Sequence, residues 1–193
     1  MRDNQKASSP MKNISILPLL FHFPLPIYRW NASDCHPNIL LNESTNAIQR
    51  NPTGKRFVGF RSCRAGQMLM PSAAGRIGII YAEYRILFAK NGPISIGLST
   101  KEMRMDEWLE MAVFQSISDN VPSFGTDDVV GCGLNWATHQ VFFTMNGQRL
   151  NITNLNVNEG TADFYPTVTL THHGAAVEAN FGPNFKYDLS NQF

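Results

Sequence analysis

Hydrophobic and polar positions alternate most regularly in the second half of the chain. From Asp128 onward Val130, Cys132, Leu134 and Trp136 fall on one side of an extended segment, because successive side chains in a strand point to opposite faces. The polar turn Ala137-Thr138-His139 follows, then QVFFTM, then Asn146-Gly147. Asn-Gly suits a two-residue hairpin turn, which needs positive φ at both central positions. Residues 128–150 are therefore predicted to form a three-stranded antiparallel meander. FYPTVTLT and AAVEANF flank His172-His173-Gly174 and read as a further antiparallel pair. Upstream, IGIIYAEYRILF at residues 77–88 is rich in β-branched and aromatic residues and reads as a central strand. A turn at Asn91-Gly92-Pro93 and the strand ISIGLST come next.

Two stretches read differently. In KEMRMDEWLEMAVFQ, residues 101–115, Met103, Trp108, Met111 and Phe114 recur near helical spacing, and Glu, Met and Leu favour helix. A short helix crossing one end of the molecule is expected there. Residues 27–76 look irregular, with short strand candidates at 28–30 and 56–61. With hairpins in sequence and no alternation of strands with helices, the fold class is all-β, an antiparallel sandwich. Leu134, Phe143, Val177 and Phe181 are the expected core residues, placed on facing sheets. Residues 1–26 read as a Pro-rich tail and 27–193 as one domain, a size that supports one core. MKNISILPLLFHFPLP, from Met11, has the basic start and apolar run of a secretion signal. Pro18, Pro24, Pro26 and His22 interrupt it, and no run approaches the ~18 apolar residues of a membrane span.

Charge narrows the function classes. The formal net charge is +1 and the basic residues are scattered, so no broad field exists to draw nucleic acid or an anionic membrane. The three cysteines have no metal-ligand spacing. Cys132 lies in an apolar run and reads as a small buried hydrophobe, whereas Cys35 and Cys63 can pair if the fold brings them together. A cytoplasmic location is the expectation, with secretion as the alternative.

Catalytic signals are weak. Gly131-Cys132-Gly133 lacks the third glycine of a dinucleotide loop and lies inside a strand. No phosphate-binding loop and no Gly-x-Ser-x-Gly elbow occurs. The neighbours Cys35 and His36 point apart in extended chain, His172-His173 offers only two metal ligands, and Glu178 reads as a structural carboxylate. Neither an enzyme nor a cofactor is expected. Trp30 and Trp136 are the residues a carbohydrate-binding reading would use, although Trp136 falls on the expected core face.

Four blocks in order then resemble the SPRY (B30.2/SPRY) domain, a concanavalin-like sandwich of jelly-roll type. They are GIIYAEYRIL, with Ala82 where an aromatic is usual, and ISIGLSTKEM. FGTDDVVGCGLNWATHQVFFTMNGQRL follows, with Met145 where Lys is usual, and FYPTVTLTHHGAAVEANFGPNFKYDL closes the series. The spelling of WNASDCHP, STKEMRMDEW and EANFGPNFKYDL looks most like the SPRY proteins of plant-parasitic cyst nematodes, some of them secreted effectors. The SPRY domain of Ran-binding protein M is the nearest general type. The resemblance implies a non-catalytic, monomeric module that binds a partner protein or short peptide through loops at one end of the sandwich. Those loops match residues 61–67, 103–123 and 171–174. Arg64-Ala65 resembles a rim pair of peptide-binding members, and Gln67, Met103, Trp108, His172 and His173 complete the expected rim. One departure stands out. Between Trp108 and Phe124-Gly125 only fifteen residues intervene, fewer than is usual in the family. The resemblance thus implies a strand pair missing from one sheet and a reduced, more apolar rim, the alternative being a divergent copy that has lost binding.

Overall fold

The computed structural model describes residues 29–53, 59–66, 78–89, 92–109, 113–115, 122–152, 156–157 and 163–192. Twelve strands build two antiparallel sheets. In chain order they are β1 (Trp30–Cys35), β2 (Ile39–Asn42), β3 (Ala47–Arg50), β4 (Arg61–Ala65), β5 (Ile79–Phe88) and β6 (Ile94–Ser99). After these come β7 (Val113–Gln115), β8 (Val129–Asn135), β9 (Gln140–Met145), β10 (Gln148–Arg149), β11 (Tyr165–Leu170) and β12 (Ala176–Asn180). One sheet has the order β1-β4-β11-β6-β7, and the other β10-β9-β8-β5-β12-β3-β2.

Period-two alternation fills the space between the sheets. Ile80, Ala82, Tyr84 and Ile86 of β5, Val130, Cys132 and Leu134 of β8, and Val141 and Phe143 of β9 face Ile94, Ile96 and Leu98 of β6 and Val168 and Leu170 of β11 within one apolar cluster. The meander over residues 128–150 is present, with β8 paired to β9 and β9 to β10. Asn146 and Gly147 have φ of 53° and 83°, as its hairpin turn requires.

Several expectations need correction. No α-helix occurs among the described residues of 101–115. Turns occupy 101–107, β7 takes 113–115, and the only helix described is a 3-10 turn at Leu189–Gln192. The pair around His172-His173-Gly174 is not a hairpin. β11 pairs with β4 and β6, while β12 pairs with β5 and β3, so that turn carries the chain from one sheet to the other. Alternation reports which residues face inward, but it cannot report which neighbour supplies the hydrogen bonds. Residues 27–76, read as irregular, contribute four strands. Leu134, Phe143, Val177 and Phe181 are all core residues, at 0–5% exposure, yet the first three belong to the same seven-stranded sheet rather than to facing ones. The tail at 1–26 lies outside the described residues.

Part of the outer face of the seven-stranded sheet is covered as well. Gly131 and Gly133 leave room on it for two rings. A Cβ at Gly131 would lie 2.1 Å from the Tyr81 hydroxyl, and one at Gly133 2.3 Å from the Phe142 ring. Tyr81 and Phe142 stack at 5.7 Å, and Tyr187 and Phe185 close over them. Glu83, 3% exposed, fastens that cover by accepting the Lys186 and Tyr187 amides at 2.8 Å each and the Tyr81 hydroxyl at 3.0 Å. Burial and the adjacent Glu83 carboxylate push the Tyr81 phenol well above its ordinary range, so it remains a donor.

Two substitutions test this packing in chemical denaturation. Phe143→Ala should cost about 3–5 kcal/mol, the usual range for an emptied aromatic core position. Glu83→Ala strands two backbone amides and should cost about 2–5 kcal/mol. A change within ~0.5 kcal/mol for either would place that side chain outside the folded core.

Candidate functional site

Strand β4, RSCRA, turns Cys63 and Ala65 into the core and Ser62 and Arg64 to the outside of the five-stranded sheet. The same alternation places Ser99 of β6 and Thr167 and Thr169 of β11 on that outer face. These hydroxyls are 0–2% exposed, so the face is polar but covered. They satisfy one another across the strands, Ser62 to Thr169 and Ser99 to Thr167, each at 2.7 Å.

Residues 100–109 run over this face, and β4 holds their backbone in place. The Arg64 guanidinium donates to the carbonyl of Thr100 and, at 2.8 Å, to that of Met103. Its charge lies 5.8 Å from the centre of the Tyr165 ring. The Ser62 amide donates to the Met105 carbonyl at 2.8 Å, and the Ser62 hydroxyl to that of Glu107 at 3.3 Å. Four carbonyls that a helix would pair internally are thus turned toward β4. Tertiary hydrogen bonds outweigh the helix propensity of this segment.

Between the segment and the end of β6 lies a cleft of about 730 Å³. Phe60, Leu98, Met103, Trp108 and Leu109 give it an apolar floor, and Glu102, Asp106 and Glu107 contribute three carboxylates. The Trp108 ring stands edge-on to Phe60 at 4.6 Å and remains half-buried. Asp106 is held below the ordinary carboxylate range chiefly by its hydrogen bond with Arg104, and Glu102 by its bond with Thr100.

Of the residues singled out from the sequence, Met103 and Trp108 line this cleft together. Arg64 and Ala65 are each 2% exposed and offer no surface to a partner; Arg64 positions the segment from beneath, and Ala65 belongs to the core. Gln67 lies outside the described residues. His172 and His173 do not line the cleft. β11 pairs Tyr165 with Ser99 at one end and Leu170 with Ile94 and Arg61 at the other, and the two histidines follow Leu170. His173 Nδ1 lies 3.1 Å from the Asn51 carbonyl oxygen. Sequence reasoning missed Glu102, Asp106 and Glu107, although the phrase KEMRMDEW displays them.

Other candidate chemistry is taken up structurally. Cys35 and Cys63 face each other across β1 and β4 as a disulfide, with Cα atoms 4.0 Å apart. Cys132 is buried, which pushes its thiol up, away from the reactive thiolate. Glu178 pairs with Arg85 at 3.1 Å. Trp30 and Trp136, at 2% and 3% exposure, are core residues with no face for a sugar. No group of three or more His, Cys, Asp and Glu that could hold a metal ion occurs among the described residues.

The described residues thus define a two-sheet β-sandwich with one apolar-and-acidic cleft and no catalytic constellation. Residues 110–184 match the family model described as SPRY domain. In fold the chain is similar to the SPRY domain of human HERC1, with a TM-score of 0.59 at 14% identity over 78% of this chain and 96% of that one. A second human SPRY domain gives the same TM-score at 19% identity over 77% and 98% of the two chains. Among curated proteins, the Ran-binding proteins 9/10 homolog of Drosophila melanogaster is 31% identical across 86% of this chain and 18% of its own length. Ran-binding protein 9 of Homo sapiens is 31% identical across 86% and 24%. This chain spans less than a third of the length of these relatives.

Two outcomes follow from the site's construction. Arg64→Met should cost about 1.5–3 kcal/mol, the range for hydrogen bonds to a charged group, and should raise acrylamide quenching of Trp108 while Trp30 and Trp136 stay protected. The second concerns His36, whose Nδ1 accepts the Asn38 amide at 2.9 Å. Burial, with Arg61 and Arg50 nearby, holds its folded pKa below the ordinary 6.5. The unfolded chain therefore binds the proton first, and stability should fall as pH drops through 6.5, levelling off below the folded value. Thermal melts between pH 8 and 5 should show a shallower loss in His36→Asn; parallel curves would remove His36 from the account.

Proposed function

We propose that this domain is a non-catalytic protein-interaction module and that the cleft under residues 100–109 is its binding surface. The observation that carries this reading is the pairing of a rigid floor with a pinned backbone. Arg64 and Ser62 fix the segment from below, while Met103 and Trp108 remain accessible above. A half-buried tryptophan in a shallow apolar cleft is the kind of side chain that dominates binding energy at protein interfaces. Methionines add surface that adapts to more than one partner shape. The SPRY domain match supports protein binding in general, and the relatives' names make Ran one candidate partner to assay. Both cysteines of the Cys35–Cys63 bond favour an oxidising compartment, which supports the secreted alternative and, with it, an effector role.

Affinity capture with the folded domain, read by quantitative mass spectrometry beside Trp108→Ala and Phe142→Leu, tests the assignment. Phe142 lies on the other sheet, beneath Tyr187. Partners of the cleft should weaken by about 2 kcal/mol or more with Trp108→Ala and persist with Phe142→Leu. Equal retention by both variants would place binding elsewhere.

A further inference from the structure

Three of the hollows among the described residues are of similar size, and their chemistry differs. The one beside Leu40 and Phe88 has no charged lining residue. The one around Arg85, Glu178, Glu83 and Lys186 mixes both signs. The cleft under residues 100–109 combines an apolar floor with three carboxylates and no lining cation.

The two basic residues of the same segment do not alter that. Lys101 is exposed and does not line the cleft. Arg104, whose side chain is 70% exposed, lies on Asp106 with Nε at 3.1 Å and Nη2 at 3.0 Å, and its Nε is 3.7 Å from Glu107. Residues 101–107 still carry three acidic and two basic side chains. Arg64 is directed to the Thr100 and Met103 carbonyls from beneath. The carboxylates are solvent-exposed, and no ion pair engages Glu102 among the described residues. An indole face beside carboxylates is attractive to a cation for two reasons that add, the ring quadrupole and the negative charge.

Resting on the reading of the cleft as a protein-binding site, we infer that its occupant is a peptide segment with an arginine or lysine immediately beside a bulky apolar side chain. The apolar side chain enters against Leu98 and Met103, and the cation lies over Trp108 among Glu102, Asp106 and Glu107. An acidic or phosphorylated segment is excluded by the same charges. Arg104 is not an obstacle, since an exposed ion pair exchanges its partners with little loss.

Trp108 makes the inference measurable, because the other two tryptophans, Trp30 and Trp136, are buried. In the free domain, caesium should quench the accessible fluorescence more effectively than iodide, and Glu102→Gln should narrow that difference. Three synthetic peptides with the same Leu-Phe centre, flanked by Arg, Gln or Glu, are then titrated. The Arg peptide should bind about three- to ten-fold tighter than the Gln peptide, the span of one cation–π contact with its charges. That advantage should shrink between 20 and 500 mM salt and in Glu102→Gln, which leaves the Arg104 bonds intact. Equal affinity for all three peptides, each lost in Trp108→Ala, would overturn the charge preference and leave the cleft reading standing. Binding unaffected by Trp108→Ala would overturn both, as would stronger quenching by iodide for the charge assignment alone.

Discussion

A guanidinium that is 2% exposed has to find acceptors within the protein, and the position of Arg64 on β4 determines which. Its flanking strands already occupy the ladder, so the acceptors come from the chain that leaves β6 at Thr100. A buried charge without partners costs several kcal/mol, more than the few tenths per residue that helix propensity gains across this segment. The carbonyls of Thr100, Met103, Met105 and Glu107 therefore turn toward β4, and Met103 and Trp108 line the cleft. The cleft is a consequence of that choice.

The same solution appears with opposite charge on the other sheet. Glu83 also faces outward from a central strand, is also buried, and also fixes an irregular segment by its backbone, here through the amides of Lys186 and Tyr187. Arg64 offers donors to carbonyls and Glu83 offers acceptors to amides. A sandwich of this size has two outer faces that its own strands cannot cover. One charged residue on each recruits a stretch of non-repetitive chain. On the seven-stranded sheet the recruited stretch is aromatic and seals against Gly131 and Gly133. On the five-stranded sheet it leaves a gap lined by Met103 and Trp108.

How much of this was legible depends on whether the signal is local. Alternation identified Val130, Cys132, Leu134, Phe143 and Val177 as inward-facing, and the Asn146-Gly147 turn was readable because it is decided by two residues. Strand partners were not readable: β11 and β12 are contiguous in sequence yet belong to different sheets. The four strands of residues 30–65 were hidden because β2 and β3 have four residues each, too few for periodicity to show. The helix expected at 101–115 had a real local preference, which Arg64 and Ser62 override from β4, forty residues upstream in rough terms. Met103 and Trp108 were singled out by the loops of the family resemblance, and both line the cleft. Arg64 was identified for its resemblance to a rim position, and its burial gives it a different task.

Because the segment is held by its backbone, its side chains are free to vary. Thr100, Met103, Met105 and Glu107 are anchored through carbonyl oxygens, which any residue supplies. A substitution at Met103 or Glu102 changes what the cleft presents without removing the bonds that shape it. Arg64 and Ser62, by contrast, act through their own side chains and tolerate no such exchange. The physical division is between a strand that determines where the loop runs and a loop whose side chains line the cleft. It is also a division of burial, with Arg64 and Ser62 at 0–2% exposure and Met103 and Trp108 half-buried. Recognition can therefore diverge while the fold stays constant, and the acidic character of the cleft is a property of this chain's loop rather than of the sandwich beneath it.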